Sequence, residues 1–363
     1  MASHLNRRAM LKSGLAATAL AASGRGAFAS EPLKVGFVYP SPVGDNGWSF
    51  RHEMGRQDVI AEFGDQVETS YVESVPEGAD ATRVITQMAI SGHKLIFTCS
   101  FGYMEPTLSV ASKFPNVMFE HNTGFKTAPN VTAYNARFHE GRTVFGTIAA
   151  QMTKTGVVGY IASFPIPEVI MGINAFTLAA QKIRPDIQVR VVWVNTWFDP
   201  AKEADAAQAL LDQGADFITQ HTNSPAPCQR AEEVGANCFG QDADMTSFAP
   251  QAHLTGIVNN WGPYYVRRVR DVMNGTWSTQ HSWDGIAEGV VKMAPYNAAL
   301  PDDVLASAMA TEEAIISGTL HPFEGPIVRA DGTEVVADGA TLSDHDIHGM
   351  NWFVKGVQGQ LPS

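Results

Sequence analysis

From Leu33 to about residue 258 the chain alternates between two hydrophobic periodicities, and that alternation limits the available folds more than any single motif does. Short apolar, β-branched runs at 33–39, 67–72, 94–99, 117–120 and 131–135 read as strands. The stretches 48–63, 79–91 and 106–114 between them read as helices. Strand, helix, strand in this order predicts right-handed βαβ units and a parallel, doubly wound sheet. A second series follows a long helix at 140–153, with strands at 156–161, 187–194, 217–219, 237–240 and 252–258 and helices at 167–183, 200–213 and 225–234. The chain has 363 residues, enough for two such units. Beyond Trp261 a helix runs to Met273, the Trp-rich segment 277–283 suggests a hairpin, and 305–317 is helical. Short strands near Ile327 and Val335 are joined by Asp331-Gly332, in a Gly- and Asp-rich tail expected to pack across both units.

Residues 1–29 stand outside this pattern. Arg7-Arg8, a weakly apolar run from Gly14 to Ala22, and Ala27-Phe28-Ala29 have the order of a cleaved signal peptide, and the paired arginines resemble the twin-arginine export class. No cysteine lies there to carry a lipid, so a periplasmic protein without a membrane anchor is expected. Loss of that segment removes Arg7, Arg8, Lys12 and Arg25 and no acid, leaving 21 basic against 37 acidic residues, a balance of −16. Such a surface argues against nucleic acid and anionic lipid as partners. Export permits a disulfide, and Cys228 and Cys238 are the only near pair, but they flank a helix, a geometry that often exceeds disulfide reach. Cys99 ends a strand and reads as core.

Ligands of open α/β sheets bind beyond the carboxyl ends of the strands, so the residues there are the candidates. The first strand is followed by Gly44-Asp45-Asn46-Gly47-Trp48-Ser49-Phe50, a Gly-rich turn entering a helix. Such a turn offers free backbone N–H groups, and Trp48 adds a flat apolar face. Asp45 either meets ligand or fixes the loop. The next strand ends supply Phe101, Gly102 and Tyr103, then His121 and Asn122, then Phe164. Trp197 with Phe198, Asn223, Asp242 and Trp261 complete the set. Lysine and arginine are absent from these loops. A phosphate or carboxylate ligand would want them, so a small neutral heteroaromatic ligand is expected, with no cofactor. Trp48 and Trp197 suit the two faces of a flat ring, and Asn223 and Asp242 suit a purine edge.

Several stretches resemble the basic membrane protein family, the substrate-binding proteins of ABC importers that include purine nucleoside receptors. Glu140-Gly141 leading into Ala149-Ala150-Gln151-Met152-Thr153-Lys154-Thr155-Gly156-Val157-Val158-Gly159 is similar to its most specific stretch. Asp45-Asn46-Gly47-Trp48-Ser49, Ala111-Ser112-Lys113-Phe114-Pro115-Asn116-Val117 and Gly240-Gln241-Asp242-Ala243-Asp244 resemble weaker ones, and the likeness covers about 33–320. It implies a type I periplasmic binding protein: two α/β, doubly wound, parallel-sheet lobes joined by a multi-strand hinge and closing on the ligand. One lobe would hold 31–136 and about 257–300, the other 137–256 and about 301–363. The resemblance implies a purine held between aromatics, Trp48 from one lobe and Trp197 or Phe198 from the other, with Asp242 on the base. It also implies a monomer that docks on an ABC permease, not an enzyme.

One departure bears on ligand choice. Nucleoside-binding members end the fourth strand in an acid that holds the ribose; here that place reads His121-Asn122. The change favours a free nucleobase over a nucleoside. A sugar receptor would show denser Asp, Asn and Arg at the strand ends. A nucleoside-processing enzyme would need an acid cluster near the first strand, where only Asp45 stands. Asp344-His345-Asp346-x-His348 has the residue types of a metal site, but in an acidic tail it reads as a solvated turn.

Overall fold

The computed structural model describes residues 31–362. The signal-peptide expectation falls on residues outside that range. Two sheets carry the fold, parallel throughout except for the edge strand Val291–Met293, which pairs antiparallel with His253–Asn259. The first series is β1 (Leu33–Val38), α1 (Gly47–Phe63), β2 (Val67–Val72), α2 (Ala79–Ile90), β3 (Leu95–Thr98), α3 (Met104–Ala111), β4 (Met118–Asn122) and β5 (Val131–Ala136). The second is α4 (Phe138–Met152), β6 (Val157–Ala162), α5 (Pro167–Ile183), β7 (Gln188–Trp193), α6 (Pro200–Asp212), β8 (Phe217–Gln220), α7 (Ala226–Val234), β9 (Asn237–Gly240) and β10 (His253–Asn259). Then come α8 (Gly262–Asn274), β11 (His281–Asp284), β12 (Val291–Met293), α9 (Asp302–Ile316), β13 (Ile327–Val328), β14 (Glu334–Val336), α10 (Asp344–His348) and β15 (Val357–Gln358).

The strand orders are β11-β5-β4-β3-β1-β2 and β12-β10-β9-β8-β6-β7-β15. Each sheet reverses direction of winding between its first and third strands, so β1/β3 and β6/β8 are the switch points. β3 and β5 are buried along their whole length, as strands covered on both faces must be. In the first lobe, Phe37 stacks on Phe97 at 4.8 Å, and Tyr265 of α8 closes over both.

The chain passes between the sheets three times: from β5 to α4, from β10 to α8 and from β11 to β12. The segment 257–300, expected in the first lobe, divides: α8 packs on α1 and β11 pairs with β5, whereas Ile257–Asn259 of β10 and all of β12 lie in the second sheet. The Trp-rich segment is not a hairpin. His281–Asp284 adds to the first sheet as a parallel strand on β5. The tail hairpin is present, β13 against β14, while β15 pairs with β7. All three cysteines are free and buried, so Cys228 and Cys238 remain thiols. Among the described residues no helix is long and apolar enough to cross a membrane.

Candidate functional site

The two switch points face one another across a cavity. Pro40 and Trp48 after β1, Ser100 and Phe101 after β3, and Thr123 after β4 form one wall. Glu168 in the first turn of α5, Trp197 after β7, His221 and Asn223 after β8, and Asp242 after β9 form the other. The cavity volume is about 20 Å³, room for about one water. The walls must therefore part for a heterocycle to enter. Close approach is built into the first loop: Gly47 has φ +82°, and a Cβ there would lie 2.8 Å from the Asn223 carbonyl oxygen. Left-handed non-glycine residues gather here as well. Thr123 and Asp242 line this cavity, and Ser74 and Asn195 line the adjoining groove. Backbone strain of this kind is typical of ligand clamps.

Aromatic side chains supply flat walls. Trp48 is mostly buried; its Nε1 donates to the Cys99 carbonyl at 2.7 Å, and it meets Trp261 edge-on at 5.9 Å. Trp197 packs against Phe164 at 5.0 Å, and its Nε1 donates to Glu77 Oε1 at 3.2 Å. The carboxylates differ in what they hold. Asp242 Oδ1 accepts from Gln241 Nε2 at 2.9 Å and Asn259 Nδ2 at 2.7 Å, which leaves Oδ2 for the cavity. Burial pushes the Asp242 carboxyl up to about 7, against the opposing effects of Gln241 and Arg142. Glu168 Oε2 accepts from Asn135 at 2.9 Å, and its Oε1 lies 3.4 Å from His221 Nε2. Burial lowers the His221 pKa, so that imidazole is neutral near pH 7. No lysine or arginine lines the cavity among the described residues. Arg142 lies buried beneath the second sheet's strand ends, its guanidinium committed to Thr219, the Gln220 carbonyl and Gln241.

The strand ends also collect buried polar atoms with no protein partner among the described residues. They include both side-chain atoms of Asn122, Ser163 Oγ, His221 Nδ1, Asn259 Oδ1 and Trp261 Nε1. Native interiors leave few such atoms, and a cluster needs an explanation.

Of the residues expected from sequence, Trp48, Phe101, Trp197, Asn223 and Asp242 come together at the cavity. Phe164 lines the adjoining groove. Asp45 is exposed, Asn46 reaches Met245, and Ser49 bonds Ser41 at 2.7 Å. The Gly102 N–H is held by Glu77. Tyr103 points into the first lobe's core, where its hydroxyl donates to the Val75 carbonyl. His121 and Asn122 are not loop residues but the last two of β4, both fully buried; burial lowers the His121 pKa to about 3. Trp261 is buried and stacks on His52 at 5.2 Å. Glu168 is the main residue that sequence reasoning missed. It lies two residues past the end of the Ser163-to-Ile166 loop, inside a helix that opens with Pro167. The Asp344–His348 segment is α10, and Asp344 pairs with Arg137. Among the described residues no group of three or more His, Cys, Asp or Glu side chains is placed to hold a metal.

Two lobes with facing switch points, aromatic walls and a polar edge define a small-molecule binding protein of the type I periplasmic class. The family described as ABC transporter substrate-binding protein, PnrA-like, matches residues 33–321, and the chain belongs to that family. It is a substrate-binding protein, not an enzyme. Over 339 residues it is 55% identical to a purine-binding protein of Brucella abortus, covering 93% of this chain and 97% of that one. It is 34% identical to a Haloferax volcanii protein provisionally named for ABC glucose binding, over 94% of this chain and 84% of that one. A solute-binding protein from Aeropyrum pernix shares the fold, with a TM-score of 0.70 at 18% identity, covering 88% of this chain and 96% of that one.

Proposed function

We propose that this protein binds a purine nucleobase between its lobes in the periplasm and delivers it, as a monomer, to an ABC permease. The observation that carries the reading is the composition of the cavity wall. Trp48, Phe101 and Trp197 offer flat faces, Asp242 Oδ2 offers an acceptor, and no lysine or arginine lines the wall among the described residues. Such a wall suits a flat, neutral ring with N–H donors on its edge and disfavours phosphates and carboxylates. The Brucella relative is named as a purine-binding protein, which supports the same class. The fourth strand ends in His121-Asn122 rather than an acid, which supports the base over the nucleoside.

A second reading has its own observation. A cavity of about 550 Å³ shares Phe101, Thr123 and Glu168 with the first and extends to His281, His345 and His348. It is large enough for a ribose attached to the base. Titration calorimetry with adenine, hypoxanthine, adenosine and glucose separates the readings. Adenine or hypoxanthine should bind at least about tenfold more tightly than adenosine, a difference near 1.4 kcal/mol. Tighter adenosine binding would establish the nucleoside reading, and tight glucose binding with no purine binding would overturn both.

A further inference from the structure

Besides Asn135, which bonds Glu168 beside the β5-to-α4 crossing, two side chains outside the cavity grip wall residues of the opposite lobe. Glu77 lies in the first lobe's loop between β2 and α2. Its Oε1 accepts from Trp197 Nε1 of the second lobe at 3.2 Å and from Ser100 Oγ and Gly102 N of its own lobe at 2.6 and 3.0 Å. One carboxylate oxygen thus gathers donors from both walls. Gly102 is the residue that permits this, since a Cβ there would overlap the Glu77 carboxylate. Arg51, at the start of the second turn of α1, crosses the other way. Its Nε donates to the main-chain oxygen of Asp242 at 3.2 Å. Asp242 is held at φ +54°, so that contact falls on a strained residue whose side chain faces the cavity.

Neither Glu77 nor Arg51 lines the cavity. Each bonds to a different part of a residue that does. The Trp197 ring faces the cavity while its N–H goes to Glu77; the Asp242 carboxylate faces the cavity while its carbonyl goes to Arg51. A ligand that stacks on Trp197 and bonds Asp242 orders the groups that Glu77 and Arg51 hold.

We propose that Glu77 and Arg51 are closure latches: positioning residues that set how long the cleft stays shut on its ligand, and not which ligand it takes. Parting the lobes breaks both contacts, so their free energy belongs to the closed form alone. A ligand bound only by the closed form then leaves faster when a latch is removed. Glu77 is solvent-exposed, so its share is modest; Arg51 is half-buried. The proposal rests on the purine reading only for its kinetic probe.

The test is stopped-flow adenine release, followed by tryptophan fluorescence, on Glu77→Ala, Arg51→Ala and the double variant. Arg51→Ala should raise the dissociation rate about fivefold, the size of one lost hydrogen bond, Glu77→Ala about twofold to threefold, and the double change by more. Association rates should stay within about twofold, and the order of preference among adenine, hypoxanthine and adenosine should not change. An unchanged dissociation rate would overturn the latches, and an altered preference would make them ligand contacts instead. If the wild-type protein fails to bind adenine, the ligand reading fails while the latches remain testable. Spin labels on Ser91→Cys and Asp205→Cys, both exposed and on different lobes, report the interlobe distance without any ligand. Longer distances in Glu77→Ala and Arg51→Ala than in the parent would support the latches; identical distributions would sink them.

Discussion

Glu120 and Asn122 sit two residues apart on β4, share one face of the sheet and are both fully buried, yet their surroundings are opposite. Glu120 is saturated: Arg268 Nε donates at 2.6 Å, Tyr264 Oη at 2.7 Å and Trp277 Nε1 at 2.6 Å. Arg268 is finished off by Asp271 and the Ser278 carbonyl. Asn122 has no protein partner for either side-chain atom among the described residues, and it lies at the strand end, on the side where the cleft opens. A closed polar network fastens α8 to the sheet. An open one recurs at Ser163, His221 and Asn259, each at or just after a strand end. Burial does not distinguish Glu120 from Asn122; the state of their hydrogen bonds does.

The comparison breaks most visibly at Glu120. Glu120→Ala leaves Arg268 Nε, the Tyr264 hydroxyl and the Trp277 indole without their acceptor. Stability should fall by about 3–5 kcal/mol, as when one partner of a buried ion pair is deleted. Urea unfolding measures this loss, and the folded fraction should still bind adenine normally. A change in affinity as large as the change in stability would erase the division between the two clusters.

Asp242→Asn tests the open side. The cavity-facing oxygen no longer carries a charge, so purine affinity should drop by about 1.5–3 kcal/mol, the range for a hydrogen bond to a charged group. The wild-type protein should also show a pH signature. Burial holds this carboxyl at about 7, so between about pH 4 and 7 the folded state keeps a proton that the unfolded chain has released. This group therefore makes the free protein less stable as pH rises across that window. Affinity runs the other way and climbs as pH passes through 7, because the ligand's N–H needs the ionised acceptor. Calorimetry between pH 6 and 8 should find that slope in the wild type and not in the asparagine variant.

How far the site could be seen in advance follows the same division. Strands and helices were legible because their signals are local: β2, α5 and β9 fall where periodicity places them, at Val67–Val72, Pro167–Ile183 and Asn237–Gly240. His281–Asp284 was not legible as a parallel strand, since its partner β5 lies about 150 residues away. At the strand ends, sequence identifies which residues are near the cleft but not which way each one points. Tyr103 and Trp197 look equivalent in sequence, yet Tyr103 turns inward to the Val75 carbonyl and Trp197 lines the cavity. Trp48 belongs to both worlds, lining the cavity while packed in the core, so its removal should cost stability as well as affinity.

The smallest effect is expected where the two kinds of cluster meet. Asn135, at the end of β5, donates to Glu168 Oε2 at 2.9 Å, so one carboxylate oxygen on the cavity wall is committed to the protein. The other oxygen has only a long, 3.4 Å approach from a neutral His221. Asn135→Ala removes a single buried hydrogen bond beside the β5-to-α4 crossing, at the hinge and not across the mouth of the cleft, and should cost about 0.5–1.5 kcal/mol of stability. If Glu168 is a wall residue held in place by Asn135, adenine affinity should change by less than about threefold, below 1 kcal/mol. If affinity instead rises more than stability falls, the freed oxygen has become a ligand acceptor, and Glu168 joins Asp242 on the open side of the comparison. Paired measurement of unfolding and adenine binding on this one variant decides which.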